Sequence, residues 1–294
     1  MYKRFALLAV ATVAAVAVGA GDAFAEQFRS EPWQWWFQEA RSPSAERVHE
    51  FNNLVTFVMI AITVFVLALM AYICIKFSKN RNPVPSKTTH NTLLEVAWTG
   101  IPIIVLVVLA IPSLKMLYFV DSHPDPDMTI KVIGNQWYWT YEYPEHGDIV
   151  FDSILVGEED LQPGQPRLLT VDTPLVVPAN TNIRVLQTSN DVIHNWAVPA
   201  LMLKLDTTPG RVNETWFNAL DEGTYYGMCS ELCGVNHGFM PIQIEAVSEA
   251  EFEAWITRAQ EEFAQGGDLP DIYAMINKND NRLAQVIELE QTAQ

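Results

Sequence analysis

Cysteine is scarce in this chain. Only three of the 294 residues are cysteine, and Cys74 lies inside a long apolar run, so no disulfide framework staples the fold. Basic residues are scarce too: from Asp121 onward there are 28 Asp and Glu against 8 Lys and Arg, a balance of −20. Such a surface should repel nucleic acid and anionic headgroups and speed the approach of a basic partner. Solubility alone is the plainer reading of the same charge. No nucleophile triad and no phosphate loop appear.

What is present is strongly segregated. The 49% apolar content suffices for one good-sized domain plus extra segments, and it is concentrated in the first 120 residues. Residues 1–25 read as a secretory signal, with Lys3 and Arg4 before an apolar stretch and Ala23-Phe24-Ala25 before the cleavage point. The alternative, an uncleaved membrane helix, is interrupted early by Gly19, Gly21 and Asp22. Residues 54–75 contain no polar side chains except Thr56 and Thr63, and as a helix they reach about 33 Å, enough for a bilayer core. A second span is expected at 93–114, where Pro102 and Pro112 are tolerable in a membrane helix. Lys76, Lys79, Arg81 and Lys87 between the spans place that loop in the cytoplasm. Signal cleavage independently exports residue 26, so a bacterial inner-membrane hairpin with both termini periplasmic is expected. Trp33, Trp35, Trp36 and Phe37 then fall at the outer headgroup level.

After an N-terminal segment and hairpin at 26–119, the pattern changes to short strands, expected at 129–133, 137–143, 148–154, 168–171, 182–187, 211–217, 224–227 and Pro241–Val247. Gly and Pro punctuate them, which indicates an all-β sandwich or Greek-key barrel over 120–247. A helical stripe returns in the last segment, 248–294. Ser248 with Glu251 forms a capping box, and Phe252, Trp255, Ile256, Ala259 and Phe263 follow the helical period. That helix is expected to pack on the barrel.

The chemistry is concentrated in twelve residues: Cys229, Cys233, His237 and Met240, with His194 upstream. Two nearby cysteines in an exported domain are usually a disulfide, but such a loop needs neither His237 nor Met240. Zinc takes Cys and His yet seldom a thioether, whereas soft sulfur with imidazole suits copper. A mononuclear blue-copper site uses one thiolate; two thiolates can bridge two ions, with one histidine capping each. The residues therefore predict a dinuclear copper centre that transfers electrons. Gly227, Gly234 and Gly238 are expected to let the backbone wrap tightly around it. A membrane-tethered copper carrier is the rival, distinguished by binding a single exchangeable ion.

Over roughly residues 45 to 260 the chain resembles subunit two of cytochrome c oxidase, the copper A subunit of the haem–copper oxidases, in its bacterial form. The resemblance rests on the run from Gln136 to Pro144, on Asp191 to His194 with Trp196 to Pro199, and on the cysteine loop, which quinol-oxidising relatives lack. Asn135 departs from the pattern, standing where a histidine is expected. The resemblance implies a cupredoxin-like barrel and two copper ions bridged by Cys229 and Cys233, with His194 and His237 binding one each. Met240 sulfur and the Glu231 backbone carbonyl become weak axial ligands. The Glu231 side chain is implied to bind magnesium shared with subunit one. Cytochrome c would deliver electrons at Trp137 and Tyr138, with Glu142, Asp152 and Asp191 as docking acids. Glu95 is implied at the mouth of a proton channel into subunit one. Oxygen is then reduced at haem on subunit one, coupled to proton pumping, with subunit three as a further partner.

Overall fold

Ser42 starts the first long helix, α1 (Pro43–Lys76), by accepting a hydrogen bond from the Ala45 N–H at 3.0 Å. Pro43 follows where its missing N–H costs nothing. The computed structural model describes residues 26–147 and 149–263. The expected signal at 1–25, the tail from 264 and the first residue of the strand expected at 148–154 lie outside the described residues. With 34 residues, α1 is about 51 Å long and extends well outward from the apolar stretch. The second helix, α2 (Thr92–Asp121), is capped by Asn91 and carries Pro102 and Pro112 inside it. Neither helix buries any residue of its most apolar window, so both must find apolar surroundings outside the chain. The extra turns serve as a mount. Ser42 Oγ donates to the Leu201 carbonyl at 2.8 Å, and Trp216 Nε1 donates to the Val120 carbonyl at 3.1 Å.

Beyond the helices the chain forms two facing sheets. One has the order β4 (Ile149–Ser153), β3 (Tyr138–Tyr143), β2 (Met128–Asn135), β6 (Ile183–Ser189) and β9 (Asn213–Phe217). The other runs β5 (Leu175–Pro178), β11 (Pro241–Val247), β10 (Gly223–Cys229), β7 (His194–Val198) and β8 (Leu203–Thr207). A two-residue strand, β1 (Gln27–Phe28), adds in parallel to the start of β10, binding the N-terminal segment into the β domain. Arg41 secures it further: its guanidinium meets Asp221, Glu39 and Glu26 and lies over the Phe28 ring.

The core between the sheets is rich in aromatic side chains. Trp139, Trp196, Tyr141, Tyr143 and Tyr225 are fully buried, and their polar tips are satisfied, as buried Trp and Tyr require. Trp196 Nε1 donates to the Tyr141 hydroxyl, and the Tyr143 hydroxyl donates to the Val176 carbonyl across the sandwich. The capping box holds, with Ser248 Oγ 2.7 Å from a Glu251 carboxylate oxygen. Helix α3 (Glu249–Phe263) then buries Phe252, Ile256 and Ala259, and sets Trp255 against Tyr143 and Phe263 against Phe151.

Most expected strands form within a residue or two of their bounds, but 168–171 does not. Leu168 adopts a positive φ of 64°, and Pro166 opens a turn that accepts from Leu169 N and Thr170 Oγ1. Strands β1, β5, β7 and β8 fall outside the expected set, although β8 does alternate, with Lys204 and Asp206 exposed between Leu203, Leu205 and Thr207. In β5 and β7 every residue is buried, so both lack the polar face that marks a half-exposed strand.

Candidate metal centre

Two strands and one loop converge at one end of the sandwich. Strand β7 opens with His194 and β10 closes with Cys229; their antiparallel register pairs Cys229 with Trp196 and Met228 with Ala197. That pairing is close enough to require glycine one residue earlier, because a Cβ at Gly227 would stand 2.1 Å from the Ala197 carbonyl oxygen. The chain then loops from Cys229 through a single 3-10 turn at His237–Phe239 and enters β11 immediately after Met240.

This places the soft donors together. Cys229 Sγ lies 3.8 Å from Cys233 Sγ, and both are free thiols, far beyond the roughly 2.05 Å of a disulfide. His194 Nδ1 contacts Cys229 Sγ at 4.0 Å, and His237 Nδ1 contacts Cys233 Sγ at 3.6 Å. Met240 Sδ is 3.6 Å from Cys233 Sγ, and the Glu231 carbonyl oxygen is 3.3 Å from Cys229 Sγ. Metal bonds of roughly 2.0–2.3 Å to nitrogen and sulfur put two donors of one ion roughly 3–4 Å apart. The donor spacing therefore fits metal, and its composition of two thiols, two imidazoles and a thioether fits copper. His194, Cys229, Cys233 and Met240 are buried, while His237 is partly exposed at the rim.

The electrostatics favour an ionised sulfur. Burial raises the Cys229 thiol, but the His194 imidazole and backbone hydrogen bonds at Asn195 and Glu231 outweigh it and bring the group down to about 7. Burial and the neighbouring Cys229 charge push Cys233 up to about 12. A cation between the two sulfurs would relieve that repulsion and release the remaining proton.

Residues on the neighbouring strands hold the donors in place. Gly134 forms the floor beneath His194: a Cβ there would meet His194 Cδ2 at 2.7 Å and Thr207 Oγ1 at 2.9 Å. Trp139 meets the His194 ring edge-on and donates from Nε1 to the Met240 carbonyl at 3.3 Å. Gln136 Nε2 and Trp137 Nε1 both donate to the Cys233 carbonyl, at 2.7 and 3.1 Å. Gly234 has a φ of +122°, and a Cβ on it would press on Trp137 and Gln136. Gly238 differs from expectation, with open space around it and an ordinary φ. Adjacency to Trp137 was the available signal for Gln136; Gly134 had none.

The other candidate residues are distributed unevenly. Trp137 and Tyr138 are partly exposed beside the loop. Burial, then the charges of Asp152 and Asp191, raise the Tyr138 hydroxyl, which groups those two acids with the aromatic pair. Asp152 accepts from Thr140 Oγ1 at 2.6 Å. Glu142 stands apart, paired with the buried Lys131 ammonium at 2.6 Å. Asp191 accepts from His194 Nε2 at 2.8 Å. The Glu231 side chain is exposed. Glu95 lies in the first turn of α2, at the end away from the sandwich. Asn135, the departure from the family pattern, is absorbed in a polar cluster with Thr140 and Asn190.

Comparison with known proteins agrees along both halves of the chain. The family described as "Cytochrome C oxidase subunit II, periplasmic domain" matches residues 128–247, and "Cytochrome C oxidase subunit II, transmembrane domain" matches 30–116. A probable cytochrome c oxidase subunit 2 of Rickettsia bellii is 50% identical over 241 residues, covering 81% of this chain and 90% of the relative. The cytochrome c oxidase subunit 2 of Arabidopsis thaliana is 45% identical over 234 residues, covering 78% and 90%. A crystal structure of the periplasmic domain of subunit II of the Bradyrhizobium japonicum oxidase is 51% identical, with a TM-score of 0.46, covering 48% of this chain and 99% of that one.

Proposed function

The chain belongs to the cytochrome c oxidase subunit II family, as a two-span membrane subunit of an enzyme whose complex reduces oxygen, and from that premise we propose its part in the reaction. It accepts electrons from cytochrome c at a dinuclear copper A centre and passes them to haem in subunit one, where oxygen reduction is coupled to proton pumping. The observation that carries this reading is the pair of unbonded sulfurs 3.8 Å apart, with an imidazole Nδ1 against each.

In this reading Cys229, Cys233, His194 and His237 would hold the copper pair, the two thiolates shared between the ions and one imidazole for each. Met240 sulfur and the Glu231 carbonyl would complete the copper donor set as its weaker members, and the Glu231 side chain would hold magnesium shared with subunit one. When bound, the copper pair supplies a one-electron couple in which the charge change is spread over two metals. The chain's own part is to hold the donors still. Three glycine contacts, two tryptophan N–H groups and the Gln136 amide fix the loop from outside, so little reorganisation is needed when an electron arrives. Trp137 is the entry residue, its indole nitrogen bonded to the carbonyl of a bridging cysteine, with Tyr138 beside it. Asp152 and Asp191 serve the docking of a lysine-rich cytochrome, while Glu142, expected as a third docking acid, is taken up by its pair with Lys131. Residues 120–247 form the copper domain in the periplasm, the hairpin within 26–119 anchors it in the bacterial inner membrane after the signal at 1–25 is removed, and residues 248–294 supply the closing helix and tail. Subunits one and three pack on the hairpin.

Metal analysis and electron paramagnetic resonance of the purified complex test the centre. Two coppers and one magnesium per chain are expected, with hyperfine splitting from one electron shared by two equivalent copper nuclei. A single isolated copper, or a disulfide between Cys229 and Cys233 in the active complex, overturns it.

A further inference from the structure

Asp191 lies three residues before His194 and is an exposed residue whose side chain is nevertheless only 31% exposed. Its two oxygens serve two different segments. Oδ1 accepts from His194 Nε2 at 2.8 Å and from Val192 N at 2.6 Å. Oδ2 accepts from Gln136 N at 2.6 Å, the backbone group immediately before Trp137. An ionised carboxylate only accepts, and a neutral imidazole has one donor and one acceptor nitrogen. Nε2–H therefore donates to the carboxylate, which leaves Nδ1 as the nitrogen turned toward Cys229 and free to face a metal once one is bound. Thr207 Oγ1 on the His194 carbonyl, Gly134 under the ring and Trp139 at its edge leave the imidazole little freedom to turn over.

We propose that Asp191 is a positioning residue: it sets the tautomer and direction of the metal-facing His194, and through Gln136 N it ties that ligand to the segment bearing Trp137. This rests on the copper reading and deepens it, because an acid otherwise counted as a docking charge becomes part of the support of the centre. A carboxylate behind a ligand histidine also makes the imidazole a better donor, and losing such a partner weakens metal binding roughly 10- to 100-fold. Asparagine cannot replace it. Acceptors are needed on both sides, and the amide of an asparagine would set its NH2 group against either His194 Nε2–H or Gln136 N–H.

The test uses the purified oxidase complex carrying Asp191→Asn, compared with wild type in the absence of cytochrome c. Expected are copper loss to a chelator roughly 10- to 100-fold faster, a reduction potential moved upward, and changed nitrogen hyperfine coupling in the copper resonance. A docking charge alone moves none of these. Wild-type copper retention, potential and resonance in Asp191→Asn, with only KM for cytochrome c raised, overturn the proposal. Should Asp191→Asn fail to assemble, the wild-type complex decides: with its copper centre reduced, proton–nitrogen resonance of labelled histidine should find His194 with a slowly exchanging, hydrogen-bonded proton on Nε2, and a freely exchanging Nε2 proton overturns the proposal. The two readings fail differently, since a wild-type complex without a dinuclear signal defeats the copper reading, and an unmoved variant beside a dinuclear wild type defeats only Asp191.

Discussion

Trp137 and Gln136 hold the same carbonyl, that of Cys233, but they do not do the same work. Gln136 is an amide and only positions the loop, whereas the indole of Trp137 is a partly exposed π-system bonded to a metal-ligand residue. Trp137→Gln should therefore leave copper content and resonance unchanged, because the Gln136 bond survives. Electron entry from reduced cytochrome c should slow by at least about tenfold, roughly 1.4 kcal/mol of added barrier. Stopped-flow reduction of the copper centre reads this directly, and an unchanged rate removes Trp137 from the entry path. At this scale the donors were legible, since Cys, His and Met carry their chemistry in their identity. Gly134 and Trp139 were not, because a residue that supports another does so by contact, and contacts across strands leave no trace in spacing.

Among the elements, α2 gives Glu95 two readings. One of its carboxylate oxygens accepts from Asn91 N at 3.2 Å, while Asn91 Oδ1 accepts from Leu94 N at 3.1 Å, so Glu95 helps close the helix N-terminus. The proposed proton-entry role needs an ionisable group; the cap needs only an acceptor. Glu95→Gln keeps the acceptor and removes the titratable proton. Turnover should fall with copper and assembly intact, and full turnover in Glu95→Gln would leave the cap as the only role. The two apolar spans and the capped α3 were readable from period and capping residues. Strands β5 and β7 were hidden for a physical reason: a strand buried on both faces has no alternation. That concealment matters, since β7 delivers His194.

For the whole molecule, the balance of −20 beyond residue 120 acts through its field. Raising ionic strength from about 0.01 M to about 0.15 M shortens the Debye length from about 30 Å to about 8 Å. The second-order rate with a lysine-rich cytochrome should then drop by tenfold or more, as steered association does. A salt-independent rate in stopped-flow mixing would reduce the acidity to a solubility device. Not every acid belongs to that field. Glu142 faces the buried Lys131 ammonium, a pair that must stay together because either charge alone would be buried without compensation.

Composition and order alone determined that this chain has two membrane spans, a β-rich domain after them, a capped closing helix and a soft-donor loop. Each of these follows from hydropathy, from local period or from the chemistry of single residues, and such signals are carried within a few neighbouring positions. Folding decided the rest. It brought His194 to Cys229 across thirty-five residues, set the thiols 3.8 Å apart without bonding them, and placed an Asp191 oxygen against the far nitrogen of the imidazole. These are consequences of strand register and sheet packing, which are fixed by side-chain fit between segments far apart in the chain.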